Sequence, residues 1–137
     1  MLTHTTTERV RYAETDKMGY LYYGEYPRLY EIGRVEMLRS LKLSYRSMED
    51  EMGVMMPVMS LQCRYVRPAY YDDELELQTT LRQLPGRTIT FHTEIFNPAG
   101  KLVNGGTVKL CFVDQKTGQR AECPEVLLRK LRPYFGE

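Results

Sequence analysis

Between Gly24 and Leu41 the apolar positions recur with a helical period. Tyr26, Tyr30, Gly33, Met37 and Leu41 follow one another at steps of four, three, four and four, and Leu29 and Leu38 widen the stripe. Glu25, Arg28, Glu31, Arg34, Glu36 and Arg39 lie off it. The pattern predicts an amphipathic helix of about 18 residues, roughly 27 Å long. Pro27 falls in its first turn, where a missing amide hydrogen costs nothing. Gly33, in the middle, costs about 1 kcal/mol relative to alanine, which marks a point where another backbone comes close. A short helical turn is expected around Ser47 to Met52.

Elsewhere the period is two. Leu61, Cys63 and Tyr65 alternate with Gln62, Arg64 and Val66, and Leu75, Leu77, Thr79 and Leu81 alternate with Glu76, Gln78, Thr80 and Arg82. Ile89, Phe91, Thr93 and Ile95 face one way, as do Val108, Leu110 and Phe112. Pro68 with Asp72-Asp73, Pro85-Gly86, Asn97-Pro98-Ala99-Gly100 and Lys116-Thr117-Gly118 punctuate these runs. Connections this short do not carry parallel crossovers, so the strands are antiparallel. A first extended segment is expected from Thr6 to Tyr12, with His4 in a flexible end, and a short terminal helix from Pro124 to Tyr134. The order is one strand, one long helix, then four long strands: an α+β domain in which a curved antiparallel sheet wraps around one central helix. A homo-oligomer would manage the sheet edges left over.

Composition narrows the class. At 137 residues the chain is one domain, 1–137. With 42% hydrophobic and 27% charged residues it folds rather than staying disordered. Nineteen basic against eighteen acidic residues leave a charge of +1, so no global field draws it to nucleic acid or to an anionic membrane. Cys63, Cys111 and Cys123 form no CxxC and no His/Cys cluster, which argues against a disulfide scaffold and a zinc site. There is no secretory signal pattern, and the longest apolar stretch, Gly53 to Met59, is far short of the roughly 18 residues of a membrane span. A cytoplasmic protein with reduced thiols and no membrane insertion is expected. His4 and His92 lack the neighbours that would make either a ligand or a base.

Tyrosine is the outlier of the composition. There are eleven Tyr against four Phe and no Trp, and six of the eleven lie between Tyr12 and Tyr30. They surround the one segment with a chemical reading, the loop Ala13 to Tyr22 and the helix start. Asp16 stands a few residues ahead of a helix N-terminus whose first amides, around Tyr23 and Gly24, have no intrahelical partner. With the helix dipole behind them, such amides hold an anion or polarise a carbonyl oxygen. A carboxylate beside an oxyanion site is a hydrolytic arrangement for an activated ester or thioester. The spacing alone equally allows Asp16 to cap a turn while the amides bind water.

The same residues carry a family resemblance. Arg9, Val10, Thr15, Asp16, Gly19, Tyr23 and Tyr26 resemble the signature of the 4-hydroxybenzoyl-CoA thioesterase family of hotdog-fold proteins. The helix end Gly33 to Leu38, the segment Cys63 to Leu75 and Gly105-Gly106 are similar to it too, so the likeness runs from about Thr6 to Leu127. The resemblance implies a hotdog fold, hydrolysis of an acyl- or aryl-CoA thioester, and an active site where subunits of a dimer or dimer of dimers meet. It implies Asp16 as the catalytic carboxylate and the Tyr23 amide as the donor to the thioester oxygen; the crowding of Tyr20, Tyr22 and Tyr23 after Asp16 makes Tyr22 and Tyr23 the expected walls of the acyl pocket, with Gly19 and Gly24 beside the substrate. Coenzyme A would be part of the substrate, and no metal or other cofactor is called for. Two departures bear on specificity: Tyr20-Leu21 replaces the usual Val/Ile pair, and Tyr23 stands where many short-chain members have His, as in the aryl-acyl branch.

For the CoA phosphates the candidates are Arg64 and Arg67, with Arg87 and Lys109 behind them. Two other functions use the same fold. One is a non-catalytic module binding acyl-CoA or acyl-carrier protein. The other is a dehydratase of 3-hydroxyacyl thioesters, for which His4 and His92 are poorly placed.

Overall fold

The β-branched run Thr3, Thr5, Thr6 and Thr7 extends the backbone from the outset. The computed structural model, which describes residues 1–136, places strand β1 at Leu2–Arg9, earlier than the expected Thr6–Tyr12 segment. His4 is therefore not in a flexible end: it lies opposite Thr79 in the sheet.

The helix begins as a three-residue 3-10 turn, Tyr23–Glu25, and runs directly into α1, Tyr26–Ser40, of 15 residues. At 1.5 Å per residue α1 is about 22 Å long; the remaining turn of the expected length is wound more tightly. Every residue assigned to the stripe is buried, from Leu41 at 8% exposed to Met37 at 0%. Arg34 departs from the pattern. Expected on the polar side, it is buried because Tyr45 covers it and accepts a hydrogen bond from its Nε at 2.7 Å. The second helix, α2 at Tyr45–Met52, is closed in front by reciprocal Ser44 and Ser47 hydrogen bonds, each 3.0 Å, and behind by Gly53 at φ 67°.

The remaining elements are β2 (Val54–Met55), β3 (Val58–Tyr65), β4 (Glu74–Leu81), β5 (Thr88–Phe96), β6 (Leu102–Asp114), β7 (Arg120–Ala121) and α3 (Glu125–Leu131). They form one antiparallel sheet of seven strands, in the order β1-β4-β5-β6, with β3 and β2 along the far side of β6 and β7 against its end. The two strands beyond the expected five are two-residue pairings with β6, too short to show a period. The inward faces of β4, β5 and β6 supply Leu75, Leu77, Leu81, Ile89, Phe91, Ile95, Val108 and Leu110, all at most 1% exposed. Burying each such side chain stabilises the fold by about 1.5–3 kcal/mol. Helix α1 lies on this face.

Two glycines set how closely the layers meet. A β-carbon at Gly33 would run into the Thr79 hydroxyl of β4, so a side chain, not the expected backbone, makes the close approach. At Gly106 a β-carbon would run into the ring of Tyr30. Strand β3 is different from the other long strands. Among the described residues it pairs only with β6, and Val58, Met59, Leu61 and Tyr65 along it are exposed, Val58 at 51% and Tyr65 at 53%.

Candidate active site

The loop from Val10 to Tyr22 leaves β1 and returns to the helix as a tight hairpin. Val10 exchanges main-chain hydrogen bonds with Asp72 and Asp73, then Thr15 bridges to Leu21 and Tyr20 to Tyr70. At its tip Gly19 N–H donates to the Asp16 carbonyl at 3.0 Å, and Asp16 N–H to the Tyr20 carbonyl at 2.8 Å. Gly19 holds φ 81°, a conformation that costs any other residue about 1–2 kcal/mol. Its contribution is this turn.

The turn aims the carboxylate. Asp16 Oδ1 accepts hydrogen bonds from Met18 N–H at 2.9 Å and Tyr20 N–H at 3.1 Å, while among the described residues no hydrogen bond or ion pair engages Oδ2. Of the two alternatives open in the sequence, the turn cap is present and uses only one carboxylate oxygen, which leaves the second reading open.

A cleft of about 310 Å³ opens beside it. Asp16, Tyr23 and Tyr26 line it from the loop and helix, and Tyr65, Arg67 and Pro68 from the segment that ends β3. Its walls are rings in edge contact: Tyr65 meets Tyr26 with centroids 5.6 Å apart at 74° and Tyr23 at 6.2 Å and 83°. Tyr65 Oη also donates to the Tyr23 carbonyl at 3.4 Å. Burial pushes the Tyr26 phenol up to about 12, helped by Cys63 and Tyr65, so it stays protonated in the cleft. The Tyr23 and Gly24 amides precede any intrahelical acceptor, and none of the main-chain hydrogen bonds of the loop uses them.

The other residues singled out in the sequence separate. Arg67 borders the cleft, with one guanidinium nitrogen donating to the Leu102 carbonyl at 2.7 Å. Tyr22 does not line the cleft: its ring folds over Gly24, where a β-carbon would come within 2.6 Å of Tyr22 Cε2. Arg64 projects to the outer face of the sheet, in a separate groove of about 400 Å³ with Arg82, His92 and Glu94. Arg87 lies beyond it, in a neighbouring groove that shares Arg82 and His92. Tyr65, read in the sequence as one of an alternating strand set, and Pro68, read as a turn signal, were not among the candidate site residues; they line the cleft where alternation in β3 gives way to Val66-Arg67-Pro68. Among the described residues no three His, Cys, Asp or Glu side chains group as a metal site would require, and no helix is long and apolar enough to cross a membrane.

Comparison with known proteins shows the family. Residues 10–131 match the family described as the thioesterase-like superfamily. The acyl-CoA thioester hydrolase YbgC of Escherichia coli is 35% identical over 106 residues, 77% of this chain and 78% of that one. The DHNA-CoA thioesterase of Staphylococcus aureus superposes with a TM-score of 0.83 at 29% identity, covering 99% of this chain and 85% of that one. A Thermus thermophilus protein described only as hypothetical reaches 0.87 at 30% identity, covering 96% and 97%. With its curved sheet, its central helix and this match over nearly its whole length, the chain belongs to the thioesterase-like superfamily and has the hotdog fold.

Proposed function

We propose that the protein hydrolyses acyl-CoA thioesters and favours a bulky or aromatic acyl group. One observation carries this: a carboxylate held by two main-chain amides through one oxygen shares a tyrosine-walled cleft with the first turn of a helix. The relatives named for thioester hydrolysis support the reaction class, and the edge-to-face rings of Tyr23, Tyr26 and Tyr65 support the acyl preference.

In this reading the thioester carbonyl oxygen lies toward the Tyr23 amide, which donates to it as negative charge develops; one well-placed donor of this kind contributes about 10²- to 10³-fold. Asp16 Oδ2 either attacks the carbonyl carbon or takes a proton from the water that does. The carbon–sulfur bond breaks and CoA leaves as its thiolate; where Asp16 has attacked, water then cleaves the resulting acyl–carboxylate anhydride and restores Asp16, and by either route water supplies the hydroxyl of the acid and the proton of the thiol. Hydrolysis consumes only water, and coenzyme A is substrate rather than cofactor. Arg67 at the cleft rim is our candidate for a CoA phosphate, and Arg64 meets one only if the ligand reaches the outer face. We place the enzyme in the cytoplasm as a homo-oligomer. The unpaired β3 edge, with exposed apolar side chains next to the cleft, supports a second copy there.

The test is release of free thiol from a panel of acyl- and aryl-CoA esters. Turnover with aryl esters ahead of short acyl esters is expected. Esters that stay intact while raising the melting temperature would make the protein a binding module instead.

A further inference from the structure

The helix that carries the Tyr23 amide has a cation where helices disfavour one. Arg28 lies in the first turn of α1, at the positive end of the helix dipole, a position that costs a cation about 0.3–1 kcal/mol. Its guanidinium is engaged on two sides: Nε donates to Glu25 Oε1 at 3.0 Å, and a terminal nitrogen pairs with Glu14 Oε2. Glu14 is the more informative partner. Its side chain is only 14% exposed, and its other carboxylate oxygen accepts from Arg11 N–H at 2.6 Å. Its carbonyl accepts from Tyr22 N–H at 2.8 Å. Glu14 therefore grips three parts of the site at once: the entry to the loop, the residue before Tyr23, and the helix. It stands two residues from Asp16, yet it does not line the cleft.

We propose that the Glu14–Arg28 ion pair is a positioning device, which fixes the Asp16 carboxylate relative to the Tyr23 amide and so sets the turnover number rather than substrate affinity. The inference rests on the assignment of Asp16 and Tyr23 made above. The loop limb bearing Asp16 and the helix limb bearing Tyr23 are joined near the cleft by Tyr22 N–H to the Glu14 carbonyl and by this pair. A displacement of about 1 Å between reacting groups is enough to cost on the order of 10²-fold in rate.

The experiment compares wild type with Glu14→Gln, Arg28→Met, the double variant and Arg28→Lys, measuring kcat, KM and melting temperature on one hydrolysed CoA ester. A positioning role predicts kcat lower by about 10- to 100-fold with KM within about twofold, and the double variant no worse than either single one, because the pair acts as a unit. Arg28→Lys keeps a charge for Glu14 and recovers most of the loss. Wild-type kcat in both single variants, losses that multiply in the double variant, or a change confined to KM overturns the proposal. Arg28 is a surface side chain, so its variants remain folded even if Glu14→Gln does not. A parallel Asp16→Asn control keeps the two ideas separate: an active Asp16→Asn enzyme removes the site assignment, whereas an inactive one beside fully active Arg28→Met removes only this inference.

Discussion

The ring of Tyr30 on α1 lies directly on Gly106 of β6, leaving no room for a β-carbon. Its hydroxyl donates to Asn104 Oδ1 in the same strand, and the thiol of Cys63 on β3 lies 3.2 Å from that hydroxyl. Helix, central strand and edge strand are thereby tied at one point in the core. Tyr30 is 1% exposed and held by its hydroxyl, so it has nowhere to move. Gly106→Ala is expected to destabilise the fold by about 1–3 kcal/mol, the usual penalty of overpacking, read as a lower urea midpoint with an unchanged slope.

The crowd of tyrosines near the helix divides by where the rings point. Tyr23, Tyr26 and Tyr65 wall the cleft, whereas Tyr22 covers Gly24. Tyr23→Ala or Tyr65→Leu should reorder the preferred CoA esters, moving kcat/KM for aryl over short acyl esters by up to about 10-fold, the upper end of the roughly 0.5–1.5 kcal/mol an aromatic pair is worth. Tyr22→Ala should leave that order alone.

How much of this was legible in the sequence follows from the kind of signal each feature emits. Helix α1 and the alternation of β4 to β6 repeat a period against a buried face, so composition along the chain reveals them. The loop at Asp16 repeats nothing; it was readable only through its motif, Thr15-Asp16 with Gly19. Of the cleft's far wall only Arg67 was singled out in the sequence; that Tyr65 stands beside it was not readable, because β3 is set there by pairing with β6, a contact some forty residues distant in sequence. Arg34 misled for the same reason: its cover, Tyr45, comes from the next helix. Arg64 and Arg67 end in different grooves, as an odd spacing of three in an extended chain dictates.

Alkaline pH should weaken the fold. Burial pushes the Tyr26 phenol and the Cys123 thiol each up to about 12, and raises Tyr30 and Tyr45 in the same direction. In the unfolded chain a thiol ionises near 9 and a phenol near 10. The native state keeps protons that the unfolded state releases, so the stability these groups contribute is intact below about pH 9 and is lost as pH climbs toward 12. Urea midpoints taken from pH 8 to 11 should fall steadily above 9. Phenolate absorbance of the buried tyrosines should appear only together with unfolding.

Strand β3 presents its free edge with Val58, Met59, Leu61 and Tyr65 exposed. If a second copy continues the sheet there, Leu61→Lys should lower the mass seen by sedimentation to that of a monomer and reduce turnover with it. A protein that sediments as a monomer before any substitution would instead mean that the cleft works alone.

The account stands on the free oxygen of Asp16, and replacing it isolates that oxygen. Asparagine retains an acceptor for the Met18 and Tyr20 amides, so the turn survives, but it has no carboxylate to attack or to take a proton. Steady-state hydrolysis of the best aryl-CoA ester by Asp16→Asn is therefore the most direct measurement. The expected result is a fall in kcat of about 10²- to 10⁴-fold with the melting temperature unchanged, and full wild-type turnover in that variant would contradict it.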